Sequence, residues 1–128
     1  MTWKAACPAV AVVAAVVAAV AMRRLRFRRA LVVGESMLPA FEPGDRVVLG
    51  PTGRLRAGQV VGCADPRDRT RLLIKRVHAL HGSTVDVRGD NESASTDSRI
   101  FGPIPRSNLA GRVLYRYAPP GRAGWMPQ

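Results

Sequence analysis

The sequence is poor in cysteine, histidine and aromatic residues. Cys7 lies in an apolar run near the N-terminus, and Cys63 lies in the more polar remainder of the chain. An intrachain disulfide is therefore not expected. Its two histidines, His78 and His81, have no third ligand near them, and neither a metal site nor a cofactor is predicted. Aromatic residues make up only 5% of the chain, and no recognition helix or zinc-ligand spacing accompanies the net charge of +11. A nucleic-acid partner is therefore not predicted.

Charge is absent from residue 5 to residue 22, and every residue from Ala9 to Ala21 is alanine or valine. Eighteen residues of helix span roughly 27 Å, close to the ~30 Å hydrocarbon core of a bilayer. The run therefore predicts an N-terminal transmembrane helix. A cleaved signal peptide is the alternative, because Lys4 supplies a short positive n-region and Ala19-Val20-Ala21 has the small-x-small pattern that precedes cleavage.

Five arginines stand in the next seven residues, RRLRFRR (23–29). Cations beside anionic headgroups contribute about 1 kcal/mol each, so anionic membrane lipids are the predicted partner of this segment. Residues 1–29 are interpreted as a membrane anchor with an arginine-rich juxtamembrane segment. The positive charge is greater on the domain side of the apolar run, which by the positive-inside rule favours a cytoplasmic domain.

From residue 30 onward, short runs of Val, Leu and Ile alternate with turn-forming clusters of Gly, Pro, Asp and Asn. No ten-residue stretch there has an apolar period of 3.6, so no long helix is predicted. We expect a small β-rich domain at residues 30–118, built as a partly open barrel. The Pro/Gly-rich tail at 119–128 is expected to be poorly ordered, with Trp125 able to touch a membrane interface. The predicted strands are Ala30–Val33, Arg46–Gly50, Gln59–Cys63, Arg71–Leu80, Thr84–Arg88 and Arg112–Tyr117.

Lysine is nearly absent, since eighteen of the twenty basic residues are arginine and the two lysines are Lys4 and Lys75. Arginine stays charged in proteins, whereas a buried lysine can become neutral near physiological pH. In the predicted strand RLLIKRVHAL, a period of two places Leu73, Lys75 and Val77 on one face. If that face is buried, desolvation lowers the pKa of Lys75. The alternative is an amine that extends from the strand edge into solvent.

A neutral amine can activate a serine hydroxyl, and Ser36 stands between a predicted strand and a proline-containing turn in VVGESMLPAFEPGD. A serine in such a place commonly hydrogen-bonds only the local backbone, which is the alternative. In the later segment GDNESASTDSRIFGPIP, Ser95 is placed to hydrogen-bond the amine of Lys75. Asp97 and Arg99 are two apart on one predicted strand face and are expected to form a structural ion pair.

The boxes GESMLP, LLIKRV and GDNESASTDSRIFGPIP, in this order, resemble those of type I signal peptidases, the serine-lysine membrane proteases of peptidase S26 type. The resemblance runs from about Val32 to Tyr117. It implies a mainly β fold, a small antiparallel barrel-like catalytic domain preceded by one N-terminal transmembrane helix. It also implies a compact single-pass protein of the cell membrane with its catalytic domain on the export side, which conflicts with the orientation that the arginine count favours.

Residue by residue, the resemblance assigns Ser36 as the nucleophile and Lys75 as the general base, with Ser95 orienting the lysine. The backbone N–H of Ser36 and the main chain around Gly34 would form the oxyanion hole, although some relatives carry a serine where this chain has Gly34. Met37 would line the pocket for a small substrate side chain. Three further residues would support the site without reacting, namely Asp97, Ser98 and Arg99.

The implied activity is removal of N-terminal leader peptides from exported preproteins through a Ser-Lys acyl-enzyme, with small residues at positions one and three before the cleaved bond. Some features indicate a divergent branch, among them Ala40 where relatives often have threonine. A eukaryotic branch uses histidine as the base, but His78 is three residues from Lys75 on a strand and is expected to face the opposite side.

Three other functions stay open. If the domain faces the cytoplasm, a dedicated maturation protease that trims one precursor becomes attractive, like the nickel-superoxide-dismutase processing peptidases of this superfamily. A self-cleaving regulator would need a DNA-binding module upstream, where the apolar run stands. A catalytically inactive membrane protein that uses the fold for binding is the third.

Overall fold

The computed structural model describes residues 7–127, without the side chains of residues 23–25. Its first element is a helix, α1 (Pro8–Arg26). Alanine is the best helix former, proline is tolerated in the first turn, and arginine complements the dipole at the last turn, so this sequence forms a helix despite its valines. The valines of α1 are exposed on every side of the helix, from 48% at Val20 to 64% at Val10.

The predicted transmembrane helix is not supported. Within the described part of the chain, no helix is both long enough and apolar enough to cross a membrane. Lys4, predicted as a short positive n-region, lies outside the described residues.

Beyond α1 the fold is mainly β, as predicted. Two strands have the predicted bounds, four overlap with predicted strands, and two were not predicted. In the described residues the strands are β1 (Arg28–Leu31), β2 (Arg46–Gly50), β3 (Val60–Asp65), β4 (Asp68–His81), β5 (Thr84–Arg88), β6 (Ile104–Pro105), β7 (Leu109–Ala118) and β8 (Gly124–Trp125).

All strand pairs are antiparallel, and the strands form one sheet in the order β1-β2-β7-β3-β4-β5-β6, with β8 added to β7. The prediction was a partly open barrel, and the sheet is open. Because β1 and β6 stay at opposite ends of this order, the sheet formed by residues 28–125 does not close on itself. A short connection leads from β6 at the edge of the sheet to β7 in its centre. The strands β3, β4 and β5 lie on one side of β7, and β1 and β2 lie on the other.

The central strands bury side chains on both faces of the sheet. Successive residues of a strand point to opposite faces, so Ile74 of β4 packs in one core and Val77 in the other. The first core lies under the β1–β2 connection, and the second lies between β3, β4 and β5. The buried members of the first core are Val32, Met37, Phe41, Val47, Leu49, Val60, Ile74 and Val113, and those of the second are Leu55, Val61, Cys63, Val77, Val85, Val87 and Ile104.

The C-terminal tail is ordered, contrary to the prediction. A turn of 3-10 helix (Pro120–Arg122) leads into β8, where the ring of Trp125 lies 4.9 Å from that of Tyr115. Arg122 forms ion pairs with Asp45 at 3.0 Å and with Glu42. Charge pairing with a distant part of the chain therefore fixes a segment whose composition suggests disorder.

Candidate active site

Ser36 lies in the connection between β1 and β2. Gly34 has a φ of +79°, a conformation that L side chains rarely adopt, so glycine suits this position whether or not relatives carry serine there. The next residues turn back over the first core, where Met37 and Phe41 are each 1% exposed. Burial of these two side chains fixes the backbone on both sides of a half-buried Ser36.

The far end of the same connection is held by a buried carboxylate, Asp45, which is 1% exposed. It accepts hydrogen bonds from the backbone N–H of Glu42 at 2.9 Å, from Arg116 at 3.2 Å and from Arg122 at 3.0 Å. Arg116 also donates to the carbonyl of Ala40 at 2.8 Å. The turn EPGD is therefore fixed by arginines that come from β7 and the tail.

Lys75 lies near the middle of β4 and is 3% exposed, which confirms that its strand face is buried. Burial is the main cause that lowers the pKa of Lys75 below the usual 10.5, and the charges of Arg99 and Arg67 act in the same direction. The charges of Asp97 and Cys63 oppose this shift. The same surroundings raise the pKa of the Cys63 thiol to about 12, mainly through burial, so that thiol does not compete as a nucleophile.

The amine of Lys75 is oriented by a hydroxyl. Its Nζ donates to Ser95 Oγ at 2.9 Å, and Ser95 Oγ donates in turn to Oδ2 of Asp97 at 2.6 Å. Since the Ser95 proton is directed to the carboxylate, the Ser95 oxygen presents a lone pair to the lysine. The structure therefore brings together Ser95 and Lys75, as the sequence indicated.

Asp97 is 0% exposed and accepts from the backbone N–H of Gly89 at 2.9 Å and from the guanidinium of Arg99 at 2.6 and 3.0 Å. Burial would raise the pKa of Asp97, but the hydrogen bonds from Arg99, Ser95 and the backbone outweigh it, and the pKa lies well below its usual range. The predicted ion pair is confirmed, but not on a strand: Asp97 is the N-cap of a short helix, α2 (Ser98–Phe101).

Ser98 begins α2 and is 8% exposed. Its Oγ accepts from the backbone N–H of Val87 in β5 at 2.9 Å. This bond and the one from Gly89 to Asp97 attach α2 to the end of β5. They thereby hold the segment that contains Ser95 next to Lys75.

Two residues that were not among the predicted site residues, Gly89 and Asn91, connect this segment to Ser36. The backbone N–H of Asn91 donates to the carbonyl of Ser36 at 2.8 Å, and Asn91 Nδ2 donates to the carbonyl of Glu35 at 3.1 Å. A Cβ on Gly89 would lie 2.6 Å from both Ser36 O and Ser95 Cβ, too close for any side chain. The length of the motif that begins GDN was the signal that these residues do more than turn the chain.

Ser36 and Lys75 line two adjoining cavities of about 290 and 240 Å³. Val33, Arg71 and Leu73 also line both, and Gly34 lines the second. Met37 is not among the residues that line either cavity, because its side chain belongs to the first core, so its predicted contact with substrate stays a prediction.

His78 is exposed on β4 and lines neither of the two cavities, so the described residues place no histidine beside Ser36. Among the described residues, no group of three His, Cys, Asp or Glu side chains is suited to hold a metal ion.

A mainly β domain in which a loop serine and a desolvated lysine line the same cavities has the elements that a serine-lysine hydrolase requires. The model of the family described as "Signal peptidase, peptidase S26" matches residues 6–90 and 87–118. The chain therefore belongs to the signal peptidase family, a family of proteases.

Curated relatives agree with this assignment. The chain is 33% identical over 114 residues to the mitochondrial ATP-independent inner membrane protease subunit 1a of Arabidopsis thaliana, covering 68% of each chain. It is 27% identical to the probable signal peptidase I-1 of Synechocystis, covering 70% of each. It is 28% identical to the human mitochondrial inner membrane protease subunit 1, covering 73% of this chain and 70% of the relative.

Proposed function

We propose that this protein is a membrane-bound serine endopeptidase that removes N-terminal leader peptides from exported preproteins, with Ser36 as nucleophile and Lys75 as general base. The observation that carries the proposal is Lys75 itself. Within the described residues it is the one lysine, it is 3% exposed, and it lines both cavities that Ser36 lines. A cation is costly in such a place, and a neutral amine is the form that accepts a proton.

In the proposed reaction, Lys75 Nζ accepts the proton of Ser36 Oγ while the oxygen attacks the carbonyl carbon of the peptide bond. The oxyanion forms against the backbone N–H of Ser36 and the main chain around Gly34. When the intermediate collapses, the leaving amine takes the proton from the Lys75 ammonium and the acyl group stays on Ser36. Lys75 then removes a proton from water, which attacks the carbonyl carbon of the ester. When this second intermediate collapses, Ser36 Oγ leaves and takes that proton back from Lys75, which releases the acid and restores the free enzyme. No cofactor or metal takes part.

Ser95 and the residues behind it act as positioning residues in this scheme. The hydrogen bond from Lys75 to Ser95 restrains the amine, and the bond from Ser95 to Asp97 fixes the hydroxyl. Asp97, Ser98 and Arg99 hold that hydroxyl in place and do not react. Asn91 fixes the serine loop through the Ser36 carbonyl.

An exposed strand edge supports an extended peptide as substrate. Residues 72–75 of β4 pair with β3 on one side, and pairing with β5 on the other side begins only at Arg76. In the described structure, the free edge of residues 72–75 forms a wall of the cavity that contains Ser36. An extended peptide can add to such an edge by main-chain hydrogen bonds, which would direct every second side chain toward the side of the adjoining cavities.

The two cavities support the expected substrate preference. The apolar side chains of Val33 and Leu73 line both cavities beside Ser36, which suits apolar side chains of the substrate. We therefore propose that small side chains at positions one and three before the cleaved bond occupy them, since these two positions point to the same side of an extended chain.

The relatives support a membrane location. Two of them are named as inner membrane proteases. The valines of α1 have no protein covering them, and the arginines that follow suit anionic lipids. We propose that α1 holds the domain at a membrane, with the catalytic face on the export side. Protease accessibility of the domain in intact cells stripped of outer layers tests the orientation.

The enzymatic assignment is tested with purified full-length protein and a fluorogenic leader peptide. Ser36→Ala and Lys75→Arg should each lower kcat/KM by about 10⁴-fold or more, because one removes the nucleophile and the other leaves a base that stays protonated. Ser83→Ala removes an exposed hydroxyl elsewhere and serves as the matched control. Cleavage by Ser36→Ala at the wild-type rate would refute the proposal.

A further inference from the structure

A third cavity, of about 280 Å³, lies where the beginning of β4 and the beginning of β7 approach Arg28. No step of peptide hydrolysis uses it. Its polar lining consists of arginines, hydroxyls and an amide. These residues are Arg28, Arg69, Arg71, Thr70, Ser107 and Asn108. Guanidinium groups with neighbouring hydroxyl and amide donors are the usual protein ligands of a phosphate group. Here those donors are Ser107 and Asn108, because the hydroxyl of Thr70 donates to Asp68.

The three arginines of this cavity form no ion pair within the described residues, although the charge of Arg71 acts on the carboxylates of Asp65 and Asp68. In the described residues, the ion pairs involve other arginines, and none involves Arg28, Arg69 or Arg71. The nearest carboxylates on this hairpin are already engaged. Asp65 accepts from Arg67 at 2.8 and 3.0 Å, and Asp68 accepts from the hydroxyl of Thr70 at 2.6 Å. The charges of Arg28 and Arg69 are therefore the part of this lining that is available to an external anion.

The cavity lies where the helix joins the domain. α1 ends at Arg26, and Arg28 is the first residue of β1. Phe27 and Leu31 beside it are 43% and 52% exposed. An anion-binding cavity next to an uncovered apolar helix and exposed apolar side chains has the layout of a site at a membrane surface, where headgroup phosphates lie beside acyl chains.

We propose that this cavity binds the phosphate group of an anionic phospholipid, with Arg28 and Arg69 as principal ligands. Arg71 and Leu72 line both this cavity and the one that contains Ser36, so the bound headgroup would lie directly beside the catalytic cleft. The headgroup would thus hold the cleft at the depth of the membrane surface. The site does not depend on Ser-Lys chemistry, and its occupancy is measured without catalysis.

The test uses full-length protein in detergent, carrying Ser36→Ala so that catalysis plays no part. Native mass spectrometry measures the fraction that retains phosphatidylglycerol or phosphatidylcholine. Arg28→Gln/Arg69→Gln should reduce retention of phosphatidylglycerol by at least about tenfold and leave phosphatidylcholine unchanged. Arg54→Gln/Arg56→Gln, which removes two exposed arginines from the β2–β3 connection, is the control and should retain the lipid as the parent does.

A second variant distinguishes a specific lipid-binding site from general electrostatic attraction to anionic lipid. Arg28→Lys/Arg69→Lys keeps both charges but loses the paired N–H donors, and it should also retain less phosphatidylglycerol. Equal retention by the parent and either Arg28/Arg69 variant would overturn the site. Displacement of the lipid by an equal concentration of inorganic phosphate would overturn the lipid as its ligand in favour of free phosphate. Unchanged lipid retention together with slower cleavage of acidic leader peptides, measured with Ser36 intact, would assign the cavity to acidic substrates instead.

Discussion

Two buried aspartates, Asp45 and Asp97, use the same chemistry for different purposes. Asp45 and Asp97 are 1% and 0% exposed, and each accepts hydrogen bonds from arginine side chains and from a backbone N–H. The bonds of Asp45 all serve to close the connection that carries Ser36. Asp97 additionally binds Ser95, which binds Lys75.

This difference shows how a carboxylate can orient an amine without keeping it charged. The charge of Asp97 raises the pKa of Lys75, whereas the charge of Arg99 lowers it, and burial is a larger influence than either. Because Arg99 neutralises much of the Asp97 charge, the carboxylate can fix the Ser95 hydroxyl while the lysine keeps a lowered pKa. The side chains that pair with Asp45 are Arg116 and Arg122, and their other bonds are to Glu42 and to backbone carbonyls.

The largest effect is expected for Asp97→Asn, which should lower the free energy of unfolding by about 3–4 kcal/mol. After this change, the remaining ion pair of Arg99 is with Glu92, whose side chain is 82% exposed. Urea unfolding measures the loss. Asp90→Asn is the control, because its pair with Arg76 is more exposed and should contribute at most about 1 kcal/mol. Equal losses in the two variants would contradict the prediction.

Asp45→Asn should cost less, about 2–3 kcal/mol, in the same urea experiment. Its partners retain other acceptors, since Arg116 also bonds the carbonyls of Ala40 and Arg122, and Arg122 also pairs with Glu42. A loss as large as that of Asp97→Asn would mean that these remaining bonds do not compensate.

Lys75→Met should have the opposite sign and stabilise the fold by about 1–2 kcal/mol at neutral pH, since an apolar side chain replaces a desolvated amine. The pKa of Lys75 is lower in the folded state than in the unfolded state, so wild-type stability rises with pH between those two values. The advantage of Met should therefore shrink as the pH approaches 10.5, the ordinary lysine value. Thermal unfolding across this pH range measures it, and a constant difference would argue that Lys75 is solvated.

The smallest expected effect is a shift in the pH dependence of cleavage, and it distinguishes the two aspartates most directly. The kcat/KM of the wild type should rise with pH as Lys75 loses its proton, with a midpoint below the ordinary lysine value. Asp97→Asn should move that midpoint further down, because it removes the anion that raises the pKa of Lys75 and leaves Arg99 in place. Asp45→Asn should not move it. A profile of leader-peptide cleavage against pH tests both, and an upward shift in Asp97→Asn would contradict the assignment.

Strands whose residues alternate between apolar and polar or contain a short apolar run were predicted well, because that pattern is local. β2 and β5 have the predicted bounds, and the face of β4 that contains Lys75 is buried as predicted. The tail was missed because its anchor, the bond from Arg122 to Asp45, joins residues 77 apart. Asp97 and Arg99 were correctly paired but placed on a strand, since two-residue spacing alone does not reveal an N-cap that accepts the backbone N–H of Arg99.

The sequence by itself determined a β-rich domain with one lysine on a buried strand face and a serine in a restricted turn. Those properties follow from residue type and period, which act over a few residues. Only the tertiary structure decided that Asn91 would bind the main chain of a loop 56 residues away, and that Arg122 would bind Asp45 across 77 residues. Such contacts depend on how loops close and which faces pack together, and these are set by burial across the whole sheet.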